Sequence, residues 1–588
     1  MLKLRGRRRG IAILTSEGET KMCILCDRGF PQNHAGSQLG RRDFLKASTA
    51  TAAAASTAGM GLFAARPASA HDDDAPEDSG KRGRRYVIRG GAVMTMDPSM
   101  PNKGEFANAD VLVEGKKIVA VGANLQAGGA GEIDARGKIV MPGFIDTHHH
   151  QFETALRSFL ADGVLINDKS GSVAGSTTYF EYVLLTFAPV YRPEDVYISE
   201  LFGGLSQLDD GVTTVHDVSQ IHHSPQHSDA AIKALFDTGR RAAFGYFESA
   251  GAVPGNQYPF DAPRIKKQFF SSSDQLVHMI MGGEVYLGPQ SADDSWRIGR
   301  ELGLQIAAHI LSPFGIRPIF DSLAAGTGGN GHTAIGGDNL FIHMTGMSDV
   351  AWQRVKDVGA QVSIAFPIEM NMRHGMPPII RMQQMGMEPS LSSDVEVTLT
   401  ADFFTQMRSA MNLQRLVVNQ MTLDKPNGNL NLPDPRNWEL PQTAATSTDT
   451  DFPYWPTPPG GVPAPLTTRD VLRYATINGA KHLRLDKKTG SLTPGKEADI
   501  IILDAQAINV APLNNVPGAV VSLMDRTNVE TVIVAGKVRK WKGRLLDVNL
   551  DNLRRQLENS RDHVFSEAQV HPLFPGQFDG RTGLFGNQ

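Results

Sequence analysis

The chain has 588 residues, of which 41% are apolar and 20% charged, an ordinary composition for a globular protein with more than one domain. Its net charge is −4, and its 17 histidines are not an enrichment. These numbers argue against a nucleic-acid partner and against a protein that sequesters metal through histidine content.

The first 70 residues differ from the rest of the chain. The stretch GRRDFLK (40–46) is followed by an Ala-rich run and then by RPASA. A basic region, a weakly apolar region and a small-residue cleavage site are typical of an export signal, and the paired arginines resemble a twin-arginine signal. The apolar run is too short for a membrane span. We therefore predict a twin-arginine signal peptide over 1–70, the twin-arginine export machinery as a partner, and a periplasmic or secreted mature protein.

Cleavage after Ala70 leaves a flexible acidic linker over 71–84. The leader carries 11 Lys+Arg and 4 Asp+Glu, a charge of +7, so its removal takes the chain from −4 to −11. Both cysteines, Cys23 and Cys26, leave with it, and their CxxC spacing is therefore not interpreted as a redox or metal site. The mature chain has no thiolate ligand, and its acidity again argues against nucleic acid.

Alternating apolar and polar residues with glycine turns predict short antiparallel strands over 85–141, and a similar pattern returns over 490–548. Between them, 142–489 alternates apolar runs with helical periods. This order predicts an α/β protein, a (β/α)8 TIM-like barrel with a small β-sandwich built from both chain ends. The Pro/Gly-rich insertion at 425–466 either covers the barrel mouth or is a surface insertion, and 549–588 is a C-terminal extension.

The stretch MPGFIDTHHH (141–150) ends a β-prone run in three consecutive histidines. Alternate residues of a strand face the same way, so His148 and His150 point together, and two imidazoles at a strand end suit a metal ion. Barrel enzymes carry their chemistry at the carboxyl ends of the strands. Other predicted strand ends supply His309 in LQIAAHILS, His343 in DNLFIHMTG and Asp394 in MEPSLSSDVE. By contrast, we interpret His222, His223 and His227 as solvated loop residues.

These motifs, together with the tail ATINGAKHLRLDKKTGSLTPGKEADIIILD, resemble the amidohydrolase superfamily, in the branch of cytosine, guanine and adenosylhomocysteine deaminases and triazine hydrolases. The resemblance implies one divalent metal ion, Zn²⁺ with Fe²⁺ or Mn²⁺ as alternatives, bound by His148, His150, His309 and Asp394. It also implies that His343 lies beside the metal and contacts substrate or water. No lysine ends GGEVYLGPQ, where binuclear members carry a bridging carbamylated lysine, so we expect one metal.

The resemblance also implies the chemistry. A metal held by three imidazoles and a carboxylate lowers the pKa of its water from ~15.7 toward ~7. Asp394 is expected to take a proton from that water and return it to the leaving nitrogen, while His343 stabilises the oxyanion or carries a proton. The expected activity is hydrolysis of a non-peptide carbon–nitrogen bond in a small molecule, as a deaminase or a cyclic amide or amidine hydrolase. Relatives are often oligomers, and the state of this chain is left open.

One position departs from the pattern of the relatives. Those that deaminate purines and pyrimidines carry a glutamate three residues after the third metal histidine, and here Ser312 stands at that place. Glu369 and His374 in IEMNMRHG are candidates to replace it as proton donor or substrate contact. The alternative is that Glu369 caps a turn and His374 is a rim residue.

Two other functions stay open on the sequence alone. One is hydrolytic displacement of another leaving group, such as chloride, from a heteroaromatic ring. The other is a catalytically silent amidohydrolase-like scaffold that only binds a partner. A silent scaffold would show lost ligands, whereas the sequence retains a residue of the right type at each ligand position.

Overall fold

The computed structural model describes residues 74–166, 178–250, 253–286, 289–327, 331–423 and 462–570. The chain divides into two compact units, residues 1–73 and 74–588. The predicted signal peptide and the first residues of the linker fall in the first unit and lie outside the described residues. The predicted insertion belongs to the second unit, and its residues up to 461 also lie outside the described residues.

Strands within the described residues fall into two sheets. In chain order they are β1 (Arg85–Met94), β2 (Glu105–Glu114), β3 (Lys117–Gly122), β4 (Gly131–Asp134), β5 (Lys138–Pro142), β6 (Phe144–His149), β7 (Val212–Ser219), β8 (Arg241–Tyr246), β9 (Val277–Gly282), β10 (Ile306–Ile310), β11 (Asn339–His343), β12 (Gln361–Ile364), β13 (Ser390–Leu391), β14 (Ile500–Asp504), β15 (Val529–Val534), β16 (Lys537–Trp541) and β17 (Arg544–Leu545).

Helices separate the strands of the barrel and follow the last strand. In chain order they are α1 (Pro193–Asp209), α2 (Pro225–Thr238), α3 (Ala262–Phe269), α4 (Pro289–Glu301), α5 (Arg317–Ala324), α6 (Asp349–Val358), α7 (Phe366–Asn371), α8 (Ile379–Gln384), α9 (Phe403–Leu423), α10 (Thr468–Ala475), α11 (Ile477–His482), α12 (Val516–Ser522) and α13 (Leu550–Glu567). A π-helical segment spans Phe180–Phe187. Among the described helices, none is long and apolar enough to cross a membrane.

The strands β6 to β13 form one parallel sheet in which each strand pairs with the next along the chain. Every residue of β6, β7 and β8 is buried, as expected for parallel strands covered on both faces. The last strand lies beside the first. The Thr147 hydroxyl, on β6, donates to the Leu391 carbonyl, on β13, at 3.0 Å. The sheet is therefore a nearly closed barrel of the TIM type, and the predicted barrel is confirmed.

The remaining strands form one nine-stranded sheet in the order β17-β16-β15-β14-β5-β1-β2-β3, with β4 beside β1. The N-terminal strand β5 pairs antiparallel with the C-terminal strand β14, with Pro142 opposite Ile500. Both chain ends therefore build this sheet, as predicted. Hydrogen bonds connect the nine strands as one sheet, and the predicted two-sheet sandwich is not confirmed.

A buried ion-pair group connects the sheet to the barrel. The guanidinium of Arg241, on β8, donates to Asp499 at 2.9 Å and to Glu497 at 2.8 Å, just before β14. All three side chains are buried. A buried cation that satisfies two carboxylates is costly to remove, because the carboxylates stay behind without a partner.

We expect Arg241→Met to destabilise the protein by about 3–5 kcal/mol, the usual cost of breaking a buried ion pair. Arg136→Met is the matched control, since Arg136 is an exposed arginine paired with Asp134. The measurement is the midpoint of thermal unfolding followed by circular dichroism. Equal midpoints for the two variants would contradict the structural role given to Arg241.

Candidate metal centre and cavity

Three imidazoles meet at the carboxyl end of the barrel strands. The Nε2 atom of His148 lies 2.9 Å from that of His150 and 3.0 Å from that of His309. The predicted alternation along β6 is confirmed, because His149 turns away and its Nδ1 lies 2.9 Å from the Asp394 carbonyl oxygen. The structure thus brings together three residues whose positions span about 160 residues of sequence.

The carboxylate of Asp394 completes the cluster from the other side of the barrel seam. Its Oδ1 atom lies 3.7 Å from the Nε2 atoms of both His148 and His150. Its Oδ2 atom faces Nε2 of His343 at 3.6 Å and Nδ1 of His374 at 3.9 Å. Asp394 therefore stands between the three-histidine group and a second pair of histidines.

The donor atoms fit a single transition-metal ion. Within the described residues, two groups of potential ligands overlap at His148, one with His150 and His309 and one with His343 and Asp394. In a tetrahedral zinc site with Zn–N bonds of ~2.0–2.1 Å, ligand nitrogens lie about 3.3 Å apart. The observed separations of 2.9 and 3.0 Å are close to that value. Imidazole and carboxylate ligands suit zinc, iron and manganese.

Burial keeps the imidazoles in the form that binds metal. Desolvation lowers the pKa of His148, His150 and His343 well below the ordinary value, and it lowers the pKa of His309 as well. These rings are therefore neutral and offer lone pairs. Burial raises the pKa of Asp394 to about 7, and the nearby His309 opposes that rise.

Glu284, just beyond β9, holds His309 in place and was missed in the sequence. One of its oxygens lies 2.5 Å from Nδ1 of His309, and the other accepts the His309 backbone N–H at 3.0 Å. With Nδ1 donating to Glu284, Nε2 keeps its lone pair for the centre. The sequence did contain an indication of this role, because Glu284 is an acidic residue in GGEVYLGPQ, at the end of a predicted strand.

Of the two interpretations of Glu369, in α7, the structure favours the one in which it caps a turn. Its Oε1 atom accepts the backbone N–H of Ala365 at 3.0 Å and lies 2.8 Å from Nδ1 of His343. It is buried and is not among the residues that line the cavity. Glu369 is thus placed to position His343 and does not face a substrate, because its short helix turns the carboxylate back toward the end of β12.

Two site residues have strained backbones. The φ angle is +72° at His343 and +64° at Asp394, in the left-handed region that residues other than glycine rarely adopt. Such residues cost roughly 1–3 kcal/mol each and persist where the surrounding structure fixes them. Here the strain lies at two of the residues that converge on the centre, which is where functional strain is usually found.

A cavity lies beside the cluster, and its empty space of about 420 Å³ includes a part that is open to solvent. Its lining includes five of the sequence-predicted site residues, His150, His309, His343, His374 and Asp394. The other lining residues were not predicted, and most are apolar: Leu165, Tyr179, Leu184, Gln220, Tyr286, Leu311, Phe314, Met372 and Val395. Ser312 is exposed and is not among the lining residues, so no acid stands at the place where deaminating relatives carry one.

The prediction of solvated histidines after β7 is wrong. His222 and His223 are buried, and His227 is partly buried. Each ring nitrogen is close to a polar partner; His222 lies 2.9 Å from the Ser228 hydroxyl and 2.8 Å from the Ser219 carbonyl oxygen. Packing of the loop against neighbouring elements, which the local sequence does not reveal, accounts for the difference.

Comparison with known proteins places these features in a family. The profile described as "Amidohydrolase family" matches residues 139–433 and 456–539. The 5'-deoxyadenosine deaminase of Methanosarcina acetivorans is 23% identical over 511 residues, covering 82% of this chain and 99% of that relative. The 5-methylthioadenosine/S-adenosylhomocysteine deaminase of Symbiobacterium thermophilum is 24% identical over 476 residues, covering 77% and 93%.

Solved structures share the fold. An adenosine deaminase from Xanthomonas campestris with bound zinc has a TM-score of 0.64 at 19% identity, over 83% of this chain and 100% of that chain. A variant of the atrazine chlorohydrolase of Arthrobacter aurescens TC1, complexed with zinc and atraton, has a TM-score of 0.59 at 19% identity, over 82% and 100%.

Proposed function

Because this chain belongs to the amidohydrolase family, we propose that it uses one divalent metal ion to hydrolyse a non-peptide carbon–nitrogen bond in a small molecule. The observation that carries the proposal is the convergence of three neutral imidazoles and one carboxylate beside a cavity at the carboxyl end of the barrel strands. Zinc is the proposed ion, since structures of the same fold were solved with zinc. The bond cleaved is that of an amino-heterocycle or of a cyclic amide or amidine.

His148, His150, His309 and Asp394 would hold the ion, and Glu284 would fix the orientation of His309. When bound, a divalent ion acts as a Lewis acid that lowers the pKa of water and polarises the substrate. The buried, uncharged rings around it make that electrostatic effect stronger than it would be in water.

Asp394 is the proposed general base. Its Oδ2 atom is buried and has no hydrogen-bond partner among the described residues, so it is free to accept a proton. The water oxygen forms a bond to the substrate carbon as Asp394 takes one water proton. The carbon–nitrogen bond then breaks, its electron pair stays on nitrogen, and Asp394 returns the proton to that nitrogen. The products are ammonia or an amine and the hydroxylated or carbonyl compound.

His343 is placed to carry a proton. The Glu369 oxygen beside its Nδ1 already accepts the Ala365 N–H, so Nδ1 is the donor in this pair. Nε2 of His343 then keeps its lone pair and lies 3.6 Å from Asp394 Oδ2. Of the two roles expected for His343, the geometry favours proton transfer over oxyanion stabilisation.

His374 is the proposed substrate contact in place of the acid missing at Ser312. Burial lowers the pKa of His374 to about 3, so the neutral ring offers a hydrogen bond and not a proton. It is buried and lines the cavity, and neither of its ring nitrogens has a hydrogen-bond partner among the described residues. An unpaired buried imidazole is costly unless it binds something, and here the partner would be the substrate. The rings of His374 and His343 pack edge to face, with centroids 4.9 Å apart.

We also propose that the protein is exported through the twin-arginine pathway to the periplasm or beyond, a proposal supported by GRRDFLK and the following Ala-rich run. Replacing both arginines, Arg41→Lys with Arg42→Lys, is expected to keep the protein in the cytoplasmic fraction of an expressing bacterium. Unchanged export of this variant would contradict the proposal.

The metal content of the purified protein tests the central proposal. We expect about one zinc or iron ion per chain, lost in the variant His148→Ala/His150→Ala because two of four ligands are gone. His563→Ala, a histidine of α13 far along the chain from the cluster, is the matched control. Elemental analysis gives the stoichiometry, and circular dichroism confirms folding. A folded wild-type protein that takes up no metal on reconstitution would rule the proposal out.

The variant His374→Asn tests the role of His374. The shorter asparagine side chain would leave the polar group of the substrate without this partner, a loss of about 1–3 kcal/mol, so we expect kcat/KM to fall roughly 10- to 100-fold while the metal content stays unchanged. The variant is assayed by release of ammonia or amine from a panel of amino-heterocycles and cyclic amides. Full activity of His374→Asn would show that another group makes this contact with the substrate.

A further inference from the structure

The described lining of the cavity offers no charged group away from the centre. Among the described lining residues there is no lysine, arginine or glutamate, and the acid present, Asp394, belongs to the centre itself. Two hydroxyls that reach the cavity are already engaged, since Tyr179 donates to Glu153 and Tyr286 donates to Glu248. Polar contacts for a ligand are therefore concentrated near the centre, at His374 and Gln220.

Part of the cavity lining is an aromatic wall formed by Tyr286 and Phe314, and Phe180, outside the lining, packs against Phe314. The rings of Tyr286 and Phe314 stack with centroids 5.1 Å apart and an interplanar angle of 21°, and Phe180 lies 6.0 Å from Phe314. Leu184 also lines the cavity. Flat apolar surfaces of this kind bind rings through burial and stacking.

The buried carboxyl group of Glu248 holds one residue of the aromatic wall, Tyr286, and one polar lining residue, Gln220. Glu248 accepts the Tyr286 hydroxyl at 2.7 Å and the Gln220 side-chain N–H at 3.4 Å. Both of these residues line the cavity, and Glu248 itself is not among the lining residues. The Tyr286 ring is thus held by a hydrogen bond, so the wall is preformed before a ligand enters.

We infer that the substrate is an uncharged molecule in which the scissile carbon–nitrogen bond adjoins a flat apolar group that packs on the aromatic wall. The inference rests on the proposed function and adds the class of substrate. A carboxylate or a sugar carried toward the wall would lose its water without gaining a partner, which is unfavourable. The inferred class excludes a sugar at the wall and so differs from the nucleoside for which the relative 5'-deoxyadenosine deaminase is named.

Hydroxamic acids test the inference by binding, without knowledge of the natural substrate. Three probes share a metal-binding head: acetohydroxamate, benzohydroxamate and 4-carboxybenzohydroxamate. Their dissociation constants for the metal-loaded protein are measured by calorimetry. We expect benzohydroxamate to bind about 10- to 100-fold more tightly than either of the others, because it alone buries an uncharged ring.

Variants of the wall test whether it is the site that binds the phenyl ring. Phe314→Ala is expected to reduce the gain of benzohydroxamate over acetohydroxamate by about 10-fold or more, and Phe314→Leu by less. Phe260→Ala, an exposed phenylalanine outside the lining, is the matched control and leaves the gain unchanged. Leu184→Arg places a cation beside the wall and is expected to shift the preference toward 4-carboxybenzohydroxamate. Thermal unfolding verifies that each variant is folded.

The outcomes separate this inference from the proposed function. If acetohydroxamate binds but the phenyl ring adds nothing, or if the carboxylated probe binds best to the wild type, the substrate class is wrong and the metal centre stands. An unchanged gain in folded Phe314→Ala and Phe314→Leu also overturns the assignment of the wall. If no hydroxamate binds the metal-loaded protein, the proposed function fails and this inference fails with it.

Discussion

A pair of backbone hydrogen bonds at the seam of the barrel is the interaction on which the rest of the site depends. The Asp394 N–H donates to the His148 carbonyl at 3.0 Å, and the His150 N–H donates to the Asp394 carbonyl at 2.9 Å. The same two bonds join the segment after the last strand to the first strand and set a carboxylate between histidines. The left-handed φ angle of Asp394 is sustained by this pairing.

Buried polar side chains reinforce the seam. One carboxyl oxygen of Asp146, in the first barrel strand, accepts the backbone N–H groups of His148 and Ser393 at 3.2 Å each. The other accepts the Gln207 side chain at 2.7 Å and the Ser393 hydroxyl. Further around the barrel, Glu284 holds His309 as described above. Several buried carboxyl groups therefore orient the imidazoles and the strand segments that carry them. Such orientation is expected where the imidazoles bind a common ligand.

How much of this could be read from the sequence depends on whether the feature is local. The facing of His148 and His150 follows from the two-residue period of a strand, and His309, His343 and Asp394 follow from the position of chemistry at strand ends. The sequence indicates Glu369 as a candidate site residue. Its orientation, however, is set by a short helix and by its contact with His343, and the spacing of apolar residues does not predict either. The cavity wall joins Tyr286 and Phe314 from two separate connections, Phe180 packs against it from a third, and no local signal relates them. The nine-stranded sheet shows the same limit, since the sequence predicts strands at both chain ends but not how they are hydrogen-bonded.

The account is tested most directly by X-ray diffraction from crystals of the metal-loaded protein, with data collected on both sides of the zinc absorption edge. One anomalous peak per chain is predicted, within ~2.0–2.2 Å of Nε2 of His148, His150 and His309 and of a carboxylate oxygen of Asp394. Such a peak would establish that the seam of the barrel is built around a single ion. Two peaks within the cavity, a peak bound by other residues, or no peak in a fully folded and zinc-supplied protein would contradict the account.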